Sequence, residues 1–288
     1  MPTPDDEDDL ALDDDGEGLP ILSEEELAED EAGLSDGPRT ILITGANGNI
    51  GRKLRAAWDD VFDLVLIDKG PDPTDADVVA ADLADFDEEW MTMFHGVDTV
   101  VHLAADPSEF ATWEELLRPN IDAAANVFHA AALAGVERII FASSNHAMSG
   151  YRELGDIVLT VDTPPRPGNA YGGAKLMAER LGKSLSGVFD LSFVALRLGW
   201  VQSGPNRPDT LPDDWSRGLW LSDGDLIRLF DRAVEADLGD RSFVVVNGMS
   251  NNHGTRWDLA GSFEAIGYSP RDDAFADEHD HPGPRSLG

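Results

Sequence analysis

The residues Ile41-Leu42-Ile43-Thr44 run straight into Gly45-Ala46-Asn47-Gly48-Asn49-Ile50-Gly51-Arg52, and no other stretch of the chain restricts its fold as strongly. An unbroken apolar run of this length suits a strand covered on both faces. The glycines that follow, in the spacing G-x-x-G-x-x-G, predict a tight turn and then a helix. In such a unit Gly45 permits the turn, Gly48 lets the backbone approach a diphosphate, and Gly51 lets the helix pack on the strand. The free N–H groups and dipole of the helix start favour that anion. The spacing departs from the more familiar G-x-G-x-x-G. The context of strand before and helix after therefore carries more weight than the glycines themselves.

The same alternation continues along the chain. Strands are expected at Thr40–Thr44, Leu64–Asp68, Val78–Ala80, Thr99–Leu103, Arg138–Ser143, Ser192–Leu198 and Phe243–Val246. Helices are expected at Ile50–Trp58, Glu88–Phe94, Trp113–Ala134, Tyr171–Leu185 and Asp225–Ala236. Strand–helix alternation with right-handed crossovers builds an α/β, doubly wound parallel sheet. The expected organisation is an acidic disordered tail over 1–38, then a nucleotide-binding domain over 39–199 that also carries the catalytic residues. A substrate lobe over 200–276, interleaved with the last sheet strands, and a polar tail over 277–288 complete it.

The 288 residues carry a formal charge of −35, and the first 38 hold sixteen Asp and Glu with no Lys or Arg. Such a segment cannot bury enough apolar surface to offset its chain entropy. Within it, Ser23-Glu24-Glu25-Glu26 fits a capping box opening a short helix. Removing those sixteen acids from the 56 leaves 40 against 21 bases, a formal −19 for the remainder. That surface repels phosphate backbones, so no nucleic-acid partner is expected. Lysine is scarce beside arginine, which suits both a salty cytoplasm and a GC-rich genome. With no cysteine, disulfides, thiolate zinc sites and a cysteine nucleophile are excluded. This, with the lack of a secretory leader or an apolar run of membrane-spanning length, leads us to expect a cytoplasmic protein without a membrane partner. Asp277-Glu278-His279-Asp280-His281 has metal-ligand side chains but lies in a polar tail, and no metal is expected.

Asp68 ends the second expected strand about twenty residues after the glycines, where a carboxylate hydrogen-bonds ribose hydroxyls and repels a 2′-phosphate, favouring NAD. Asp82 and Leu83 are placed to meet the adenine. Leu103, Ala104 and Ala105 are placed to pass under the ribose, with Asn47, Asn49 and Ile50 in the turn itself. His102 by itself reads as a core histidine. At the other end, Tyr171 and Lys175 lie at i and i+4 on one helix face. Bringing a tyrosine from its usual pKa to about 7 takes roughly 4 kcal/mol. A lysine ammonium about 4 Å away supplies a similar amount at an effective dielectric near 20. Phe141-Ala142-Ser143-Ser144-Asn145-His146 sits at the C-terminal end of an apolar strand, the edge at which open α/β sheets bind ligands.

Taken in this order, the glycine turn, Asp68, strand-end serine and Tyr-x-x-x-Lys resemble the extended short-chain dehydrogenase/reductase superfamily, the NAD-dependent epimerase/dehydratase group, across roughly residues 40–270. The phrases Ala142–His146, Tyr171–Lys175 and Trp220-Leu221-Ser222 look most like uronate dehydrogenases. His102–Pro107 is similar to haloarchaeal NAD-dependent glucose-6-phosphate dehydrogenases. The resemblance implies a Rossmann-type sheet with a small C-terminal substrate lobe and an NAD cofactor. It makes Ser144, Tyr171 and Lys175 the catalytic triad, supported by Asn120, with Asn145 and His146 on the substrate. The implied reaction is oxidation at C1 of a sugar, uronate or hexose phosphate to a lactone, in a chain that assembles as a homo-oligomer. Two departures concern the substrate. Trp200 follows Arg197-Leu198-Gly199 where a small polar residue is usual, and Trp215 stands where uronate dehydrogenases place an arginine. Arg217 or Arg207 is then the candidate for reading an anion, and Trp215 and Trp220 are candidates for stacking on sugar. Two other readings stay open: a nucleotide-sugar epimerase or dehydratase that uses NAD transiently, and a non-catalytic NAD-binding sensor.

Overall fold

The computed structural model describes residues 37–155 and 157–276. The acidic segment with its capping box, except for Gly37 and Pro38, lies outside these residues. So do the Asp277–His281 cluster and the polar tail. Seven strands form one parallel sheet: β1 (Thr40–Thr44), β2 (Asp63–Asp68), β3 (Val78–Ala80), β4 (Thr99–His102), β5 (Arg138–Ser144), β6 (Ser192–Leu198) and β7 (Phe243–Gly248). Their order is β3-β2-β1-β4-β5-β6-β7, so the winding reverses between β1 and β4. Ligands of open α/β sheets bind in the crevice at such a switch point.

Alternate residues of each strand enter different cores, as a period of two requires. Ile41 and Ile43 join Leu54, Trp58, Leu229 and Phe230 on one face of the sheet. Leu42 joins Phe128, Phe141 and Phe193 on the other. This double burial explains why the early strands are apolar throughout. The helices are α1 (Asn49–Trp58), α2 (Glu88–Met91), α3 (Trp113–Leu116), α4 (Ala123–Leu133), α5 (Ala170–Leu185), α6 (Asp214–Gly218), α7 (Asp223–Glu235) and α8 (Ala260–Ile266).

The continuous helix expected over Trp113–Ala134 is interrupted by a π-helical segment, Leu117–Asp122. Pro119 lies within it, lacking the N–H that a regular turn requires and carrying a ring that clashes with the carbonyl four residues earlier in a regular helix. Beyond β6, Trp200 and Trp220 form an isolated parallel bridge. Trp200 N–H donates to Leu219 O at 2.7 Å and Leu221 N–H to Trp200 O at 3.1 Å, which closes the intervening loop at its base. Two small apolar clusters sit beside this loop, one around Met148, Leu159, Leu219, Met249 and Trp257, the other around Leu211, Trp220 and Ala274.

Candidate active site

A cleft of about 670 Å³ opens at the carboxyl edge of the sheet. Gly45, Gly48, Asn49, Ile50 and Gly51 line one part of it, and Leu103 and Ala105 come in from the end of β4. Gly45 has φ +71°, and a Cβ there would lie 2.7 Å from the Ala104 nitrogen. At Gly51 a Cβ would lie 2.4 Å from Gly45 O, so only glycine lets α1 close onto the turn. Gly48 caps α1 without a side-chain hydrogen bond, and the first turn has no acidic residue. The helix start therefore keeps its N–H groups for an anion. The carboxylate of Asp68 accepts from Asn47 N–H at 2.9 Å and Gly70 N–H at 3.3 Å, which places it beside the glycine turn. A turn that side chains would fill, an uncapped helix start and an acid at the end of β2 together fit a dinucleotide. Two bases of this region have carboxylates of their own: Lys69 lies 3.1 Å from Asp82 and Arg52 lies 3.5 Å from Asp72.

Asp82 and Leu83 do not line this cleft. Leu83 is buried in the core, and Asp82, paired with Lys69 and Arg118, faces a separate hollow of about 460 Å³. Asn47, Asp68 and Ala104 also stand behind the lining. Asn47 is tied to Asp68, and Ala104 backs Gly45. His102 is the core histidine expected. Burial takes its pKa down to about 3, its Nδ1 lies 2.7 Å from Thr44 Oγ1, and its ring stacks on Phe141.

Ser144, Asn145, His146, Tyr171 and Lys175 line the rest of the cleft. Asn169 caps α5 by accepting from Gly172 N–H at 2.8 Å, which fixes Tyr171 in the first turn. A Cβ on Gly172 would lie 2.2 Å from His146 O, so this glycine lets α5 close onto the segment carrying His146. Asn169 Nδ2 also meets His146 Nδ1 at 3.0 Å, and the His146 and Tyr171 rings meet edge to face at 5.5 Å. Lys175 is buried, donates to Ala142 O at 2.8 Å, and sits 5.7 Å from the Tyr171 ring centre.

Burial dominates the electrostatics here. It takes Lys175 down to about 7. It pushes Tyr171 up to about 12, against a hydrogen bond with Ser144 that lowers it, while the charge of Asp106 raises it further. The expectation that Lys175 supplies most of what brings Tyr171 near 7 is corrected to this extent: removal from water penalises the phenolate and the ammonium alike, and burial outweighs the help from Lys175. His146 is lowered by burial, with Glu109 pulling the other way.

Asn120 is buried behind the cleft. Its Oδ1 accepts from Asp106 N–H at 2.8 Å and its Nδ2 donates to Asp106 O at 3.0 Å, so it positions the loop after β4. Arg217 is turned away from the cleft. It donates to Ala274 O at 2.8 Å, and its guanidinium lies 4.0 Å from the Phe275 ring centre. Arg207 pairs with its neighbour Asp209. Trp220 is buried and donates its indole N–H to Asn206 at 2.8 Å, so it packs the loop base; the expectation of a stacking surface there is corrected. Trp200 and Trp215 do line the cleft, with Glu109, Arg152 and Asn169, which the sequence reading missed. Asn169, an Asn directly before a helical pattern, carried a capping signal. Glu109 and Arg152 carried none.

A parallel sheet wound in this order, with a glycine turn and a Tyr–Lys pair on one cleft, is the architecture of the dinucleotide-dependent α/β oxidoreductases. The sequence pattern of the NAD dependent epimerase/dehydratase family matches residues 41–214, and the chain belongs to that family. It is 34% identical over 254 residues to the NAD-dependent glucose-6-phosphate dehydrogenase of Haloferax volcanii, spanning 81% of this chain and 94% of the relative. It is 35% identical over 251 residues to that organism's L-arabinose 1-dehydrogenase (NAD(P)(+)), spanning 81% and 97%. Uronate dehydrogenase from Agrobacterium tumefaciens superposes with a TM-score of 0.71 at 29% identity, covering 86% of this chain and 92% of that one. Among the described residues, no helix is long and apolar enough to cross a membrane, and no group of three acids or histidines is placed to hold a metal ion.

Proposed function

We propose that this chain oxidises C1 of a cyclic sugar or sugar acid to a lactone, with the hydride passing to NAD. The observation that carries this reading is that Ser144, Tyr171 and Lys175 share one cleft with the glycine turn. NAD, when bound, supplies the hydride acceptor and a positive ring. Ser144 orients the C1 hydroxyl, and Tyr171 takes its proton as the C–H bond breaks. With Tyr171 at about 12, the residue rests as the phenol, so positive charge in the site is needed to make it a base. Lys175, at about 7, gains or loses a proton near neutrality and sits where such charge acts. Asn145 donates to Leu198 O at 3.0 Å, which ties the end of β5 to β6 beneath the substrate side. Asn145 and His146 bound that side, Asn120 acts as a positioning residue, and Asp68 selects NAD. The acidic surface supports an enzyme without a nucleic-acid partner, and a chain with no cysteine fits a cytoplasmic one. The exposed Phe110, Trp113 and Leu117 support its assembly as a homo-oligomer.

NADH absorbance with NAD and a panel of aldoses, uronates and sugar phosphates tests the reading, with light scattering for assembly. Turnover that Tyr171→Phe lowers by about 10²–10⁴-fold is the expected result. Bound NAD with no NADH release, and interconversion of a nucleotide sugar, would replace it with the epimerase reading. Bound NAD with neither activity would leave the sensor.

A further inference from the structure

Among the described residues, the basic side chains that line the cleft, and several close to it, are engaged elsewhere. Arg152 lines the cleft, but its guanidinium is paired with Asp213 and lies 3.8 Å from Glu153. Lys175 donates to Ala142 O. Arg256, 5.0 Å from the Trp215 ring centre, spends its donors on the carbonyls of Tyr151, Arg152 and Ile157. Arg207 pairs with Asp209, and Arg217 is drawn off to Ala274 and Phe275. His146 is held toward its neutral form by burial. Facing these groups, Glu109 brings a carboxylate into the lining, its Oε2 3.9 Å from His146 Nε2. An incoming carboxylate or phosphate would leave water, meet Glu109, and compete with Asp213 for Arg152. Buried anions are tolerated when they are paired, and this lining offers no uncommitted partner.

What it does offer suits an uncharged sugar. Trp200 and Trp215 present aromatic surface, and the hydroxyls of Ser144 and Ser203 line the same cleft without adding charge. Building on the dehydrogenase reading above, we propose that the substrate is a neutral aldose, seated against Trp200 and Trp215. Glu109 and the Asp213-bound Arg152 then discriminate against uronates and sugar phosphates. Discrimination of this kind works by leaving the wrong ligand's charge unpaired.

The test is NAD reduction by the intact protein on matched sugars: D-galactose with D-galacturonate, D-glucose with D-glucuronate and D-glucose 6-phosphate, and L-arabinose and D-xylose as pentoses. Neutral sugars are expected to exceed their charged counterparts in kcat/KM by about tenfold or more, as a site built against a group can achieve. Asp213→Asn removes the carboxylate that occupies Arg152 while keeping a side chain able to cap α6, whose Ser216 N–H it now receives at 2.8 Å. In that variant kcat/KM for galacturonate should rise several-fold while galactose changes little. Equal or better turnover of the uronate or the phosphate by the parent protein overturns the proposal and leaves the dehydrogenase reading standing. Bound NAD, measured by calorimetry, with no reduction by any sugar overturns both.

Discussion

Replacing Glu179 by Leu should cost the protein a large part of its stability. Glu179 and Arg197 are each about 2% exposed and form a two-pronged pair, Nε to Oε1 at 3.0 Å and Nη2 to Oε2 at 2.9 Å. The Ser143 hydroxyl donates to the same Oε1 at 2.5 Å. Leucine fills the volume but leaves Arg197 charged in a dry site and Ser143 without its acceptor. Breaking one side of a buried pair costs about 3–5 kcal/mol, because the remaining charge is uncompensated. At about 2–4 °C per kcal/mol for a domain of this size, the midpoint should fall by about 6–20 °C in calorimetry at pH 7. The control is the double variant Glu179→Leu with Arg197→Met, which removes both charges. It should recover most of the loss, since apolar replacement of a whole buried pair is often neutral. A single variant melting within about 2 °C of the parent would refute the reasoning. So would a double variant as unstable as the single one.

Three further outcomes are expected. Lys175 binds its proton below about 7 when folded but below 10.5 when unfolded, so the unfolded chain holds the extra proton between these values. Stability from this group rises with pH through that window. The stability of Lys175→Met relative to the parent should therefore be highest near pH 6.5 and fall toward pH 10, read by urea unfolding; a constant difference contradicts the burial. Gly51→Ala puts a methyl 2.4 Å from Gly45 O. It should cost about 1–3 kcal/mol by overpacking and weaken NAD binding in calorimetry, whereas unchanged affinity would show that the turn does not hold the dinucleotide. Asn120→Ala leaves both backbone groups of Asp106 without their partner. A loss of about 1–3 kcal/mol in urea unfolding, with weaker NAD binding, is expected, and parent-like values for both would remove its positioning role.

The parts of the fold that rest on local chemistry were legible in the sequence. β1, its glycine turn and α1 follow from residues adjacent in the chain, and the expected strands fall within one or two residues of those observed. Tyr171 and Lys175 share a helix face through spacing alone, and Ser144 comes to them because β5 and α5 follow the common winding. The rest depended on partners far along the chain. Arg217 was a fair candidate until Phe275, 58 residues away, took its guanidinium. Trp220 was a plausible platform until Asn206 accepted its indole N–H and buried it. The pKa values of Tyr171 and Lys175 invert a sequence-based expectation for a similar reason: charge is written in the sequence, but burial is set by packing. The π-helical segment at Asn120 had a local sign in Pro119, although the widened turn and its hold on Asp106 required the tertiary structure.

The closed base of the loop after β6 has an implication for how such a chain can diversify. The bridge between Trp200 and Trp220 fixes the two ends of the loop. Changes in length between them then cost the sheet little, about 0.6 kcal/mol for each doubling of a flexible loop. Trp200 and Trp215, which face the cleft, lie at or within these bounds, whereas the glycine turn and Asp68 belong to the opposite half of the sheet. Asn49 links the two, its amide donating to Val201 O and Gln202 O at 3.1 and 3.2 Å. Residues 201–219 thus form an exchangeable cassette, through which selectivity for one sugar over another can be rewritten while the machinery for moving the hydride is inherited unchanged.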